Sequence, residues 1–211
     1  MVIPSGCATV LRHYRISPGA TGRGTIRREL SNQMLGLKVT MSGILPILDE
    51  IRRTLDCEIS PPRGLPSLPG GLALPPDLRE FYELAGGAIL FSERACPGRV
   101  RIVGPDEVQR IDLAITGDEF ASGPFEWWFA IADVMDGNYV AIDLNPEHFG
   151  LCYDAFHETF AMPGYVNAIA GSFSDLLRRL LDHKEDSTYW LQEGFKPLGE
   201  AFALYGFKAI A

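Results

Sequence analysis

The sequence predicts an α+β domain in which an antiparallel meander of strands is packed by helices. Three observations predict it. Helical stripes of apolar residues open and close the patterned part of the chain, and closely spaced strand-like runs, "WWFAIA", "YVAIDL" and "GLCYDAF", lie between them. A length of 211 residues with 46% hydrophobic residues is enough to bury one substantial core. Helices, then strands, then a helix is the order of an α+β fold rather than of alternating βα units.

The elements follow in order. Residues 1–40 are rich in Gly, Ser, Thr and Arg without sustained periodicity, so a disordered basic arm is expected there. Patterning starts near Met34 or Met41, either of which is an alternative start of synthesis. From Ser42, Ile44, Ile47, Leu48, Ile51 and Leu55 form one helical stripe. Residues 59–76 are dense in proline and glycine, which predicts a loop packed over the surface.

"LPPDLREFYELAGG" reads as a second helix. A proline stands in its first turn, Asp77 lies near the positive end of the dipole, Leu78, Phe81, Tyr82 and Ala85 share a face, and Gly86 is the stop. "GAILFS" and "RVRIV" read as short strands, and "GPDEVQRIDLAI" as a short helix started by Pro105. After the meander, "GSFSDLLRRLLDH" is an amphipathic helix capped by Ser172, with Phe173, Leu176, Leu177, Leu180 and Leu181 inward. The domain is expected to span 41–183, with residues 184–211 an extension packed on it.

Function classes narrow with composition. No apolar run approaches the ~20 residues of a membrane helix, and the start lacks the apolar stretch of a secretory signal, so a soluble cytoplasmic protein without a membrane partner is expected. Cys7, Cys57, Cys96 and Cys152 lie far apart with no CxxC pair, which predicts free thiols rather than zinc ligands or a disulfide framework. Residues 1–40 carry six Lys or Arg against one Glu, whereas residues 41–211 carry 13 against 26 acids. The acidic body disfavours nucleic acid and favours a basic partner. A nucleic-acid-binding tail is the alternative reading of the arm.

"WWFAIADVMDGNYVAIDLN" carries Asp133, Asp136 and Asp143. With Gly137 at the glycine position of a calcium loop, Ala132 and Val134 occupy essential ligand positions, so the loop fails as a cation site. Asp136-Gly137 as a two-residue hairpin turn fits better; it sets Ile131 opposite Ile142 and Asp133 opposite Val140, with Asp143 on the other face from Asp133. His157-Glu158 lacks the second histidine of HExxH, and neither a P-loop nor a GxSxG elbow is present. Cys152 and His157 would form a nucleophile–base pair only if the fold joined them. No catalytic residue, metal or cofactor is therefore expected. In the Trp127–Trp128 pair, one ring is expected in the core and the other at least partly exposed as a possible partner anchor.

"LPPDLREFYELAGGAILF", "VRIVGPDEVQRI", "FAIADVMDGNYVAIDLN" and "IAGSFSDLLRRLLDH", in that order, resemble the SMI1/KNR4 family of the SUKH superfamily over roughly residues 42–183. The resemblance implies one SUKH-like α+β domain without established enzymatic activity. Many bacterial members look like immunity proteins that neutralise a cognate toxin, and fungal members are regulatory interaction scaffolds. The basic arm, the long proline-rich loop and the last 28 residues depart from that pattern.

The expectation is a non-catalytic cytoplasmic immunity protein for a basic toxin domain, a nuclease being one such toxin. Its partner would be met by Asp133, Asp136, Asp143, Glu147 and Asp154, with Trp127 or Trp128 as apolar anchor. A regulatory scaffold is the second reading. The third, a hydrolase or metal-dependent enzyme, requires at least three of Asp133, Asp143, Asp154, His148 and His157 around one pocket.

Overall fold

The computed structural model describes residues 43–94, 98–135, 137–184 and 186–207. The basic arm, the starts at Met34 and Met41, Cys7, Cys96 and Asp136 lie outside the described residues.

Helix α1, Ile44–Arg53, buries Ile44, Ile47, Leu48 and Ile51. Leu55, expected on the same stripe, is fully exposed. The helix stops at Arg53 and Thr54 turns extended (φ −86°, ψ 121°), so the 3.6-residue period no longer governs where Leu55 points. The chain runs instead into β1, Glu58–Ile59, a strand too short to leave a sequence pattern.

Helix α2, Pro76–Leu84, buries Leu78, Phe81 and Tyr82, as the stripe predicts. Asp77 Oδ1 accepts from the Leu78 N–H at 2.9 Å, and its Oδ2 accepts from the Ser174 N–H at 2.7 Å. One carboxylate thereby joins the starts of two helices, where N–H groups lack intrahelical partners. The glycine pair after α2 answers to packing. A Cβ on Gly86 would lie 2.2 Å from the Pro61 carbonyl oxygen, and the Gly86 N–H donates to the Ser60 carbonyl at 2.9 Å. The proline-rich loop thus presses directly on the helix end.

Strands β2 (Ala88–Leu90) and β3 (Val100–Ile102) follow. The helix expected from Pro105 begins only at Ile111: residues 104–110 form a turn, and α3 is Ile111–Thr116. The cause is competition for backbone groups. The Gln109 carbonyl accepts from the Ala130 N–H at 2.9 Å, and Arg110 bridges to Phe129, which commits the segment to the sheet.

Strands β4 (Trp128–Asp133), β5 (Tyr139–Asp143), β6 (Cys152–Ala155) and β7 (Ala168–Ala170) complete the meander. Among the described residues seven strands form one antiparallel sheet in chain order, confirming the α+β class. Helix α4, Phe173–Asp182, then packs back; Ser172 Oγ accepts from the Asp175 N–H at 3.1 Å, and all five predicted inward residues are buried.

Side-chain alternation divides the core in two. On the first face α1, α2 and α4 cover Phe129, Val140, Ile142, Cys152 and Ile169. On the second, Ile111, Phe125, Phe160 and Phe202 cover Trp128, Ala130, Ala141 and Tyr153. The C-terminal residues contribute to both. Tyr189 and Trp190 are buried on the first face, with the Tyr189 hydroxyl donating to the Ile169 carbonyl at 2.9 Å.

Residues 198–201 then run along β7. Leu198 N–H donates to the Ala168 carbonyl (2.9 Å), Ala168 N–H to the Gly199 carbonyl (2.8 Å), and Ala201 N–H to the Val166 carbonyl (2.8 Å). This pairing occupies the outer strand edge, which otherwise invites another chain. The short helix α5, Ala201–Leu204, lays Phe202 against Phe125 and Trp128. No helix among the described residues is long and apolar enough to cross a membrane.

Candidate partner-binding surface

The β4–β5 hairpin sorts the predicted residues, and its register differs from the expected one. Phe129 pairs with Ile142, Ala132 with Val140, and Asp133 with Tyr139. Two local events cause this. The Val134 N–H donates to the Asn138 carbonyl at 3.0 Å, so three residues rather than two make the loop, with Met135 (φ 74°) and Gly137 (φ 78°) in left-handed conformations. The register also slips between Ala130 and Ala132, leaving Ile131 as a bulge residue. Asp133 consequently lies on the same face as Tyr139 and Asp143, contrary to the expectation. Four residue steps of strand still separate Tyr139 from Asp143, about 13 Å.

Asp143 is fully buried and is removed from the partner-contacting set. Its Oδ2 accepts from the Tyr153 hydroxyl at 2.7 Å, the Tyr205 hydroxyl lies 2.8 and 2.9 Å from its two oxygens, and Oδ1 accepts from the Asn145 N–H at 2.9 Å. Burial pushes the carboxyl above the usual carboxylate range, while the Asn145, Tyr153 and Tyr205 donors and His148 work in the opposite direction. His148 Nδ1 approaches it to 3.8 Å. Burial in turn raises the Tyr153 and Tyr205 phenols, and the nearby Asp143 charge raises them further, so both remain donors.

Trp128 is likewise a core residue, 1% exposed, with its ring against Tyr153, Phe125 and Phe202. Trp127, in the turn just before β4, is half-buried against the same cluster and keeps an accessible part. Its carbonyl accepts from the Leu144 N–H at 2.8 Å, which sets the start of β4 beside the loop after β5. Glu126, next to Trp127 in sequence, and Glu147 and Phe149, in the loop after β5, are exposed.

Asp154 pairs with Val140 on the first face, opposite to Asp143. Burial pushes its carboxyl up to about 7, opposed by the hydrogen bond from the Trp190 indole. The residue as a whole is half-buried.

Asp133 belongs to a second feature. Its Oδ2 lies 3.2 Å from Arg101 Nη2, and its Oδ1 accepts from the Met135 N–H at 2.7 Å. Glu107 binds the other Arg101 nitrogen and accepts from the Gly104 N–H at 2.9 Å. Burial works against the Arg101 charge, yet the hydrogen bonds from Glu107 and Asp133 outweigh it and its pKa is raised. Burial also tends to raise Glu107, but Arg101 and the Gly104 N–H hold its carboxyl below the usual range. These groups border a recess of about 280 Å³ lined by Val103, Gln109, Ala114, Ala130 and Tyr139 among others.

Arg101, Glu107 and Tyr139 were missed in reading the sequence. The signal that marks Arg101 is the alternation in "RVRIV", which points it away from Val100 and Ile102. Glu107 carried no comparable signal, because its role depends on residues 104–110 being a turn.

The groups a catalytic site would need are dispersed. Asp133 sits with Arg101, Asp154 with Trp190 on the other face, and His157 with Asn138, whose Oδ1 is 2.8 Å from Nδ1. Only Asp143 and His148 approach each other. Cys152 is buried, its thiol raised well above the usual range by burial and neighbouring aspartates, whereas His157 is exposed. Among the described residues no three His, Cys, Asp or Glu are grouped to hold a metal ion.

Residues 69–179 match the model of the SMI1 / KNR4 family (SUKH-1). The chain is 35% identical over 156 residues to the immunity protein YokJ of Bacillus subtilis (strain 168), covering 74% of this chain and 93% of that protein. No solved structure matches it. With the family model matching more than half of the chain, and a curated relative aligned over nearly its whole length, the chain belongs to the SMI1/KNR4 (SUKH-1) family.

Proposed function

We propose that this chain is a non-catalytic binding domain that acts as an immunity protein, neutralising a cognate toxin by occupying it. The observation that carries this reading is the 35% identity to YokJ over nearly all of that protein. The dispersal of the candidate catalytic groups supports binding rather than chemistry.

The partner fits best as a basic toxin domain, with a nuclease as the leading class, since a nucleic-acid groove is positive. Residues 41–211 hold 26 acids against 13 basic residues, a surface that attracts such a groove and repels nucleic acid. The contact surface combines Trp127 and Glu147 with Glu126 and Phe149 at one end of the β4–β5 hairpin, and Asp133 at the other; Asp136 is kept in the set from the sequence alone. Asp154, half-buried, stays in the set through the part of it that remains accessible. The cytoplasm is the site of action in this reading, where the thiols of Cys57 and Cys152 stay reduced.

Co-expression with each toxin-like gene product encoded beside this one is the experiment. The expected result is rescue of growth and a stable complex with one of them; failure to bind or neutralise any of them rejects the immunity role.

A further inference from the structure

We propose that the recess beside Arg101 is a socket for an arginine side chain presented by the protein partner; this deepens the binding-protein reading and rests on it. On the second face of the sheet, partial exposure is left at Arg101, Asp133 and Tyr139, near the hairpin turn. Toward the start of β4 the rings of Phe125, Trp128, Phe202 and Tyr205 close that face. Toward the hairpin turn, the cavity of about 280 Å³ remains between the sheet and the 104–110 turn.

The lining mixes the small apolar side chains of Val103, Ala114 and Ala130 with Arg101, Asp106, Glu107, Gln109 and Tyr139. Ala130 and Val103 are buried, and the small side chains leave space for the methylene stem of a long side chain. The rim is charged. Asp106, Glu107 and Asp133 face Arg63 and Arg101, so carboxylates outnumber guanidinium groups. Asp106 is committed only to Arg63 at 3.2 Å, with both side chains at least half exposed (68% and 50%). A pair that open to water is weak and re-partners readily.

Two further features select a guanidinium. Glu107 and Asp133 already hold that of Arg101 between them, which demonstrates that these carboxylates accept its planar donor fork. Tyr139 also lines the recess, and aromatic rings attract cations. A carboxylate entering the recess meets net like charge, and a purely apolar side chain gains nothing from the charged rim.

The test is an amide NMR titration of the isotope-labelled full chain with a capped Gly-Arg-Gly peptide, and with peptides carrying Gln or Glu in place of Arg. The Arg peptide is expected to shift the amides of Gly104, Asp106, Glu107, Gln109 and Tyr139 saturably; the Gln and Glu peptides are not. The exposed double substitution Asp106→Lys with Gln109→Lys should weaken the Arg peptide by roughly fivefold or more, and Glu147→Lys by less than about twofold. No saturable shift at those amides, an equal response to the Gln or Glu peptide, or shifts centred on Glu126 and Glu147 would overturn the socket. Co-expression judges the immunity role and this titration judges the recess, so either can fail without the other.

Discussion

The Tyr205 hydroxyl lies 2.8 and 2.9 Å from the two carboxylate oxygens of Asp143, joining the C-terminal segment to the fifth strand across 62 residues of sequence. The acid is fully buried, so no water replaces that donor if it is lost. Tyr205→Phe keeps the ring against Trp128 and His148 but removes the hydrogen bond. It should destabilise the fold by about 1.5–3 kcal/mol, the range for a hydrogen bond to a charged group. Urea unfolding at neutral pH measures it, and a loss below about 0.5 kcal/mol would mean that Asp143 is held by Tyr153 and the Asn145 N–H alone.

Asp154 makes stability depend on pH. Its folded value, raised to about 7, exceeds its ordinary value of 3.8, so the folded protein holds the proton more tightly than the unfolded chain. That contribution is fully present below about pH 4 and is lost as pH rises through 7. Asp154→Asn keeps an acceptor for the Trp190 indole and removes the ionisation. Because water reaches this half-buried residue, the gain at about pH 8 should be on the order of 1–2 kcal/mol, with little change near pH 4. Thermal unfolding of both proteins across that range checks it; parallel curves would count against the assignment.

The glycines of "LAGG" and "VGPD" should differ in tolerance. On Gly86 a Cβ would meet the Pro61 backbone oxygen at 2.2 Å, so Gly86→Ala has to move the proline-rich loop and should cost about 2–3 kcal/mol. On Gly104 the atom met is Arg63 Nη2, the end of a half-exposed flexible side chain that can swing away. Gly104→Ala should cost under about 1 kcal/mol. Equal losses in denaturant unfolding would contradict this ranking.

Ile51 and Leu55 share one helical stripe in the sequence yet differ completely in burial. Ile51→Ala should cost about 2–5 kcal/mol, whereas Leu55→Ser should lie within about 0.5 kcal/mol of the parent. Chemical denaturation of the two variants decides whether α1 ends at Arg53.

Helices α2 and α4 were legible because their own residues carry start signals, a cap and apolar stripes: Pro76 and Ser172 act within one turn. The end of α1 and the start of α3 were not. At α3 a partner strand claims the backbone of Gln109 and Arg110, and no local propensity reveals that claim.

The sequence by itself determined the α+β class, the order of the main helices and strands, the family resemblance, and the acidity of the body. All are local periodicity, punctuation or composition, which need no knowledge of neighbours. Only the tertiary structure decided which acids face outward. One extra loop residue in the β4–β5 hairpin put Asp133 on the face of Asp143, and burial by the C-terminal segment made Asp143 a partner of Tyr205. In a strand with a period of two, a slip of one residue reverses every side chain, so faces are settled by pairing rather than by spacing alone.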